Sequence, residues 1–293
     1  MELSCYRGRA LGIRLSLVQT LATGVERLSL RGKGRLLDTL CPRAGLATRT
    51  LFGRTVRLDL SDHIQRWMFL GLYECGPTRL VREYLKPGMV VVDVGANVGY
   101  YTLLALSRVG ERGHVIAIEP APRPRQRLVA AVRGVPNVTI LASALGSERS
   151  TGTLYLDRET DNDTPTMVPH HGGVPRDVTT IRLDECLAEL RFDHIDLLKL
   201  DVEGWEPQIL AGASSLLAAG RIGAMLCELN DYWLRAVGTN AAAFHQQILD
   251  YGFRDITPGA LTRFETRLFV HEKAPEKDGG IPTSTRALFT EQI

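Results

Sequence analysis

One apolar stretch followed by glycines constrains the fold of this chain most. Val90, Val91 and Val92 lead directly into Asp93, and Gly95 and Gly99 follow shortly after. An apolar run without alternation is typical of a parallel strand that is covered on both faces. Glycine permits a tight turn after such a strand, and small molecules bind at this end of an open α/β sheet. The segment therefore predicts a ligand site on a doubly wound, mostly parallel sheet.

The spacing of the glycines indicates which ligand binds there. The order is Asp93-x-Gly95-x-Asn97-x-Gly99, whereas the dinucleotide fingerprint is G-x-G-x-x-G, in which the second glycine makes room for a pyrophosphate. S-adenosylmethionine (SAM) has no pyrophosphate, and its carboxylate suits the free N–H groups of a helix that opens near Gly99. We therefore favour SAM, with a nicotinamide cofactor as the alternative.

Two further predicted strands end in polar residues. Residues 114–118 form a β-rich run that ends at Glu119, and Pro120 suits the start of the next helix. An acidic residue at the end of the second strand accepts hydrogen bonds from ribose hydroxyls in nucleotide-binding units. The run 138–142 ends at Ser143 and Ala144, where a hydroxyl and a backbone N–H suit the edge of an adenine base. The alternatives are a solvated Glu119 and a serine that serves only the turn.

A second strong segment combines an apolar strand with acidic residues. The run 195–200 is followed by Asp201, Glu203 and Gly204. Lys199, Asp201 and Glu203 are alternate residues, so their side chains would point to the same side of an extended strand. Charged groups at the end of a central strand are costly unless they are paired or functional. We favour a functional role for Asp201 and Glu203. The alternative is a structural ion pair of Lys199 with Asp201 or Asp93.

These segments together resemble one known family. The stretch 93–101 (DVGANVGYY), Glu119-Pro120 and the stretch 198–206 (LKLDVEGWE) are similar to the FkbM family of class I SAM-dependent methyltransferases, over residues 50–272. The resemblance implies a Rossmann-like, seven-stranded sheet with one antiparallel edge strand, SAM as the cofactor, and methyl transfer usually to oxygen. Trp205 departs from the family pattern, in which a small residue is common at this position. The acceptor molecules of the family are therefore not assigned to this chain.

The predicted cofactor-binding residues are Asp93, Gly95, Asn97, Gly99, Tyr100, Glu119, Pro120, Ser143, Ala144 and Asp201. A hydroxyl acceptor benefits from a nearby base. Asp201 and Glu203 are the catalytic candidates, and His170 and His171, in the polar stretch 156–178 that we expect to be a binding loop, are their rivals. Asp201, Glu203 and Glu228 are possible metal ligands, but no third ligand is closely spaced in the sequence, so no metal is predicted.

The chain divides into three predicted parts. Residues 1–49 form a basic N-terminal helical extension, residues 50–272 the methyltransferase domain, and residues 273–293 a disordered tail. Apolar residues recur at helical spacing between Leu11 and Leu28, which predicts an amphipathic helix that packs on its own domain or makes weak contact with an anionic membrane surface. A hairpin around Gly53 is expected over residues 50–58.

Composition narrows the function further. The formal net charge is only +2, which argues against a nucleic-acid partner. The five cysteines are scattered without C-x-x-C spacing, and no apolar run reaches transmembrane length, so we expect a soluble cytoplasmic protein. The predicted function is SAM-dependent methylation of a hydroxyl on a small metabolite, sugar or secondary-metabolite acceptor. An NAD(P)-dependent oxidoreductase and a non-catalytic SAM-binding protein are the alternatives.

Overall fold

The computed structural model describes residues 33–157 and 165–273, with side chains from residue 37 onward. The chain divides into two compact units, of which the first ends at Gly76 and the second begins at Pro77. The sequence-based boundaries at residues 49 and 272 stay predictions. The amphipathic helix expected between Leu11 and Leu28 and the tail from residue 274 lie outside the described residues.

The first unit is built around a hairpin. It contains helix α1 (Lys33–Leu40), strands β1 (Leu46–Leu51) and β2 (Arg54–Asp59), and helix α2 (His63–Leu70). The two strands pair antiparallel across Gly53, which confirms the predicted hairpin. Helix α2 begins where Asp62 caps it, because the side chain accepts a hydrogen bond from the backbone N–H of Gln65 at 3.0 Å.

A seven-stranded sheet forms the centre of the second unit. Its strands are β3 (Val90–Val94), β4 (His114–Ile118), β5 (Val138–Leu141), β9 (Ile195–Leu200), β10 (Ile222–Asn230), β11 (Phe253–Asp255) and β12 (Phe264–His271). They lie in the order β11-β12-β10-β9-β3-β4-β5. The pairs from β10 through β5 are parallel, and β12 is antiparallel to both of its neighbours.

This sheet confirms the predicted seven-stranded, mostly parallel α/β fold. One detail is wrong: the antiparallel strand β12 is not the edge strand, because β11 pairs along its outer side. The apolar runs explain the central position of β3 and β9, since all residues of both strands are buried.

Helices connect and cover the strands of this sheet. They are α3 (Cys75–Tyr84), α4 (Tyr100–Val109), α5 (Pro122–Ala131), α6 (Leu183–Glu189), α7 (Glu206–Ala211), α8 (Ser214–Ala218), α9 (Asp231–Ala236) and α10 (Ala241–Asp250). The main core joins their apolar faces to the sheet through fully buried side chains such as Leu198, Met225 and Phe244. None of the helices in the described ranges is both long and apolar enough to cross a bilayer.

A smaller sheet follows the main sheet's edge strand in the chain. It consists of β6 (Ala144–Leu145), β7 (Ser150–Asp157) and β8 (Gly173–Ile181), in the order β6-β8-β7. The expectation of one long loop over residues 156–178 is wrong at both ends, because β7 extends to Asp157 and β8 begins at Gly173. The polar residues of β8 hid the strand, since only one of its faces is buried.

Candidate active site

The predicted acidic residues lie at one edge of the main sheet. Asp93 is the second-last residue of β3, Glu119 follows β4, and Asp201 and Glu203 follow β9. Because β3, β4 and β9 are parallel neighbours, their carboxyl ends meet at the same edge. The structure therefore brings together the carboxylates that the sequence singled out.

Lys199 ties the ends of β3 and β9 together. Its ammonium Nζ is 3.5 Å from Oδ1 of Asp93 and 3.2 Å from Oδ2 of Asp201. It also donates hydrogen bonds to the carbonyls of Val94 at 3.3 Å and Gly95 at 2.8 Å. Both ion pairs that the sequence left as alternatives are thus present. A buried ammonium with four oxygen partners fixes the turn after β3 relative to the turn after β9.

Asp93 is almost completely enclosed. Only 1% of its surface is exposed, and its Oδ2 accepts a hydrogen bond from the Thr102 hydroxyl at 2.6 Å. Together with the Lys199 pair, this contact anchors the start of α4 to the end of β3. The contacts of Asp93 thus link β3 to Lys199 and to α4, and its role in cofactor binding stays a prediction.

The glycine turn is required by close packing within the chain. Gly95 has a φ of +73°, and a Cβ placed on it would lie 2.0 Å from the carbonyl oxygen of Asp201. At Gly99, with a φ of +99°, a Cβ would lie 2.7 Å from the Leu128 side chain. At both glycines, other parts of the chain approach the backbone closely. This close packing seats the turn directly against the end of β9.

Glu119 holds the turn from the other side. Its Oε2 accepts a hydrogen bond from the backbone N–H of Asn97 at 2.8 Å, and its Oε1 accepts one from the N–H of Ala121 at 2.8 Å. Burial raises the pKa of Glu119 to about 7, although these backbone bonds and the charges of Lys199 and Arg125 lower it in part. Asn97 adopts a φ of +48°, and its buried Oδ1 has no hydrogen-bond partner within the described ranges.

Glu203 sits in a strained turn beyond β9. Its φ is +54°, and its backbone carbonyl accepts a hydrogen bond from the Thr166 hydroxyl at 2.9 Å. Its Oε2 accepts a hydrogen bond from the Asn230 amide at 3.3 Å. Burial, followed by the charges of Asp201 and Glu206, raises the pKa of Glu203 to about 8. The carboxyl group is therefore protonated over much of the neutral range.

Glu206 and Asn230 are site residues that the sequence reasoning missed. Glu206 is 1% exposed, and its Oε1 accepts a hydrogen bond from the backbone N–H of Val202 at 3.0 Å. Burial raises its pKa to about 7, and backbone hydrogen bonds lower it in part. Asn230 is the last residue of β10, the strand beside β9, so its position at a strand end was the available signal.

A third carboxylate lies close to Asp201 and Glu203. One oxygen from each of these residues and one from Glu228 on β10 lie within 4.8 Å of one another. Glu228 is distant in the sequence, and pairing of β9 with β10 brings it alongside, so the expected absence of a metal stays a prediction. Three hard oxygen ligands suit a divalent cation. Lys199 pairs with Asp201, one member of this cluster.

The two histidines predicted as alternative bases, His170 and His171, have different surroundings. The ring of His170 packs against Tyr155, with 6.0 Å between centroids, and against Trp233, with 5.3 Å between centroids. Trp233 in turn contacts the backbone at Gly204, where a Cβ would lie 2.7 Å from the Trp233 Cβ. His170 thus lies near the Glu203 turn, whereas His171 is exposed.

The remaining predicted residues follow strands β3, β4 and β5 in the chain. Tyr100 begins α4, and its hydroxyl lies 3.2 Å from the Thr78 hydroxyl. Pro120 is half-buried beside Glu119 and accepts a hydrogen bond from Arg125. Ser143 is half-buried, and Ala144 packs in a small core with Leu154 and Met167.

Comparison with known proteins identifies relatives. A family model described as the methyltransferase FkbM domain matches residues 93–254, more than half of the chain. The AMB antimetabolite synthetase AmbE of Pseudomonas aeruginosa is 26% identical over 206 residues, which cover 58% of this chain and 10% of that protein. The 31-O-demethyl-FK506 methyltransferase FkbM of Streptomyces tacrolimicus is 33% identical over 159 residues, which cover 44% of this chain and 60% of that protein. The chain thus spans less than two thirds of either relative.

Solved structures are more distant. The fibrillarin of Aeropyrum pernix, in complex with natively bound S-adenosyl-L-methionine, is 14% identical with a TM-score of 0.38, over 67% of this chain and 76% of that chain. This likeness is too low to carry an argument about function.

The strand order and the family match define the class of the protein, a Rossmann-like class I methyltransferase with SAM as its cofactor. Within that class, the chain belongs to the FkbM methyltransferase family. The predicted family, fold class and cofactor are confirmed. The family match also favours a methyltransferase over the nicotinamide alternative.

Proposed function

We propose that the protein transfers the methyl group of SAM to a hydroxyl of a small acceptor molecule. The observation that carries this proposal is the position of the family match, since residues 93–254 contain every strand-end residue of the site. The name of one relative, 31-O-demethyl-FK506 methyltransferase, supports oxygen as the methylated atom. The formal net charge of +2 supports a small-molecule acceptor over a nucleic acid.

The cofactor residues fit a ligand that is rich in hydrogen-bond donors. Each oxygen of Glu119 accepts one backbone bond and keeps capacity for a ribose hydroxyl. The buried Oδ1 of Asn97 suits a hydroxyl or ammonium donor. The N terminus of α4 carries no side-chain cap, so its first N–H groups suit a carboxylate. Ser143 and Ala144 are assigned to the adenine, at the end of β5.

Asp93 and Lys199 have a positioning role in this proposal. Their buried ion pair, together with the Lys199 contacts to Gly95 and Asp201, sets the turn against which the cofactor lies. Their contribution is to hold the geometry. Orientation of reacting groups in this way supplies roughly 7–11 kcal/mol of a reaction barrier.

Bound SAM supplies an activated methyl group. Glu203, in its ionised form, accepts the proton of the acceptor hydroxyl as the new carbon–oxygen bond forms and the carbon–sulfur bond breaks. A pKa near 8 makes Glu203 a stronger base than an ordinary carboxylate, and it remains ionisable near neutral pH. Asp201, fixed by Lys199, orients the acceptor. His170 is the second candidate for the base, since its ring lies near the Glu203 turn.

Transfer of isotope-labelled methyl from SAM tests this proposal. A panel of hydroxylated and amino-bearing acceptors is incubated with the wild type and with Glu203→Gln, and SAM affinity is measured by calorimetry. We expect label on hydroxyl oxygen, turnover lowered by about 10²–10⁴ in Glu203→Gln, and unchanged SAM affinity. Label on nitrogen alone would contradict O-methylation. An equal loss of SAM affinity and turnover would contradict the role of Glu203 as the base.

A further inference from the structure

A cavity of about 440 Å³ opens beside the small sheet. Its walls come from the segment between β6 and β7, from β7 and β8, from the residues around Met167, and from the start of α7. Trp205 and Gln208 form the α7 wall, and Tyr155 forms part of the β7 wall. The volume falls in the range of about 300–1,000 Å³ that is typical of small-molecule sites.

The cavity adjoins the Glu203 turn by two routes. Trp205 follows Gly204 directly in the chain, so its ring extends from the turn that carries Glu203. Met167, which also lines the cavity, follows Thr166, whose hydroxyl donates to the Glu203 carbonyl at 2.9 Å. An acceptor held in the cavity would therefore lie beside the turn that carries Glu203.

Aromatic side chains continue from the cavity toward the same turn. The ring of Tyr155 in the cavity wall packs against His170, and His170 packs against Trp233. Trp233 in turn packs against the backbone of Gly204. Aromatic faces of this kind pack against the C–H groups of a saturated ring. Of these rings, Tyr155 lines the cavity together with Trp205, and these two aromatic side chains favour a ligand with a ring face over a flexible chain.

The polar groups of the wall indicate what else the ligand carries. The indole N–H of Trp205 is buried and has no hydrogen-bond partner within the described part of the chain. A buried donor without an acceptor costs about 1–3 kcal/mol, which a ligand oxygen would remove. The amide of Gln208, at the same wall, offers both a donor and an acceptor.

The charge of the lining excludes anions. No lysine or arginine is among the residues that line the cavity, and its one charged residue is Glu148. A phosphate or carboxylate would enter without a cationic partner and beside a carboxylate, which is unfavourable. The ligand that matches the wall is therefore neutral.

From these observations we propose that the cavity is the acceptor-binding pocket and that it selects a neutral saturated ring with several hydroxyl groups. This inference rests on the proposed methyl transfer and adds the acceptor class to it. Trp205 is then a specificity-determining residue: its ring supports the face of the acceptor, and its N–H donates to an acceptor oxygen.

Binding of neutral and phosphorylated ring compounds tests the pocket. The probes are methyl β-D-glucopyranoside, methyl α-L-rhamnopyranoside and myo-inositol, with glucose 6-phosphate as the anionic counterpart. Saturation-transfer NMR on the full chain with S-adenosylhomocysteine present gives their affinities. The variants are Trp205→Phe, which keeps the ring and removes the N–H, and Gln208→Leu. Gln246→Leu, on the exposed face of α10, is the matched control.

We expect saturable binding of at least one neutral probe. Its affinity should fall at least fivefold in Trp205→Phe and in Gln208→Leu but not in Gln246→Leu, and glucose 6-phosphate should bind at least tenfold more weakly. Tighter binding of the phosphate, no binding of any neutral probe, or affinities within twofold in both cavity variants would overturn the inference. SAM calorimetry separates the two proposals. If the wild type binds SAM and methylates an alcohol, the proposed function stands whatever the cavity variants show; if the wild type does not bind SAM, both fail.

Discussion

Replacement of Glu206 by glutamine should change how the stability of the protein depends on pH. Folding raises the pKa of Glu206 from 4.5 to about 7, mainly because its carboxyl group is buried. The folded state therefore retains the proton between pH 4.5 and 7, where the unfolded chain releases it. Stability from this group is fully present below pH 4.5 and is lost as the pH rises through 7.

The size of the effect follows from the shift. At 1.36 kcal/mol per pKa unit, the group costs the folded state about 3 kcal/mol at pH 8 and about 1 kcal/mol at pH 5. Glutamine keeps an oxygen that can accept the Val202 N–H bond but has no charge to bury. Loss of another hydrogen bond to the second oxygen would cost about 1 kcal/mol. Glu206→Gln should thus gain about 2 kcal/mol at pH 8 and little or nothing at pH 5.

Urea unfolding at pH 5 and pH 8, followed by circular dichroism, measures these values. In thermal unfolding, a gain of about 2 kcal/mol in the free energy of unfolding corresponds to a rise in Tm of roughly 4–8 °C for a unit of this size. Glu111→Gln, which removes an exposed carboxylate, should leave the pH dependence as it is in the wild type. A wild type and Glu206→Gln variant with parallel stability curves between pH 5 and 8 would refute the reasoning.

Three other perturbations test the rest of the site. Lys199→Met leaves the buried Asp93 and the half-buried Asp201 without their cation and should lower the free energy of unfolding by about 3–5 kcal/mol in urea titration. Gly95→Ala places a Cβ against the Asp201 carbonyl and should cost about 2–4 kcal/mol, whereas Gly134→Ala, with a similar positive φ but open space, should cost about 1 kcal/mol. Turnover should rise with pH toward 8 as Glu203 ionises, and Glu203→Gln should lose that rise in a pH–rate profile.

Each of these has a contrary outcome. A loss below 1 kcal/mol in Lys199→Met would mean that the ion pairs contribute little. Equal destabilisation by Gly95→Ala and Gly134→Ala would mean that backbone strain alone matters at Gly95. A pH–rate profile that is identical in Glu203→Gln and the wild type would exclude Glu203 as the titrating base.

The sequence predicted the strands that carry the site because these strands consist mostly of apolar residues. The apolar runs of β3 and β9 are buried on both faces, so no alternation obscures them, and the acids and glycines at their ends stand out. The parallel order then brings Asp93, Glu119 and Asp201 to one edge.

What the sequence did not predict depends on contacts between strands. Pairing of β10 with β9 brings Glu228 and Asn230 to Glu203, although they lie far from it in the chain. The burial of Glu206 and the pairing of Asp93 with Thr102 depend on the packing of helices on the sheet. Strand β8 escaped notice because one of its faces is polar.

Calorimetric titration with SAM tests the central claim most directly, since the crevice at the ends of β3 and β4 must hold the cofactor. One SAM per chain should bind to the wild type and to Glu111→Gln with equal affinity, and Glu119→Gln should bind at least tenfold more weakly. Absence of binding to the wild type, or equal affinity in Glu119→Gln, would contradict the account.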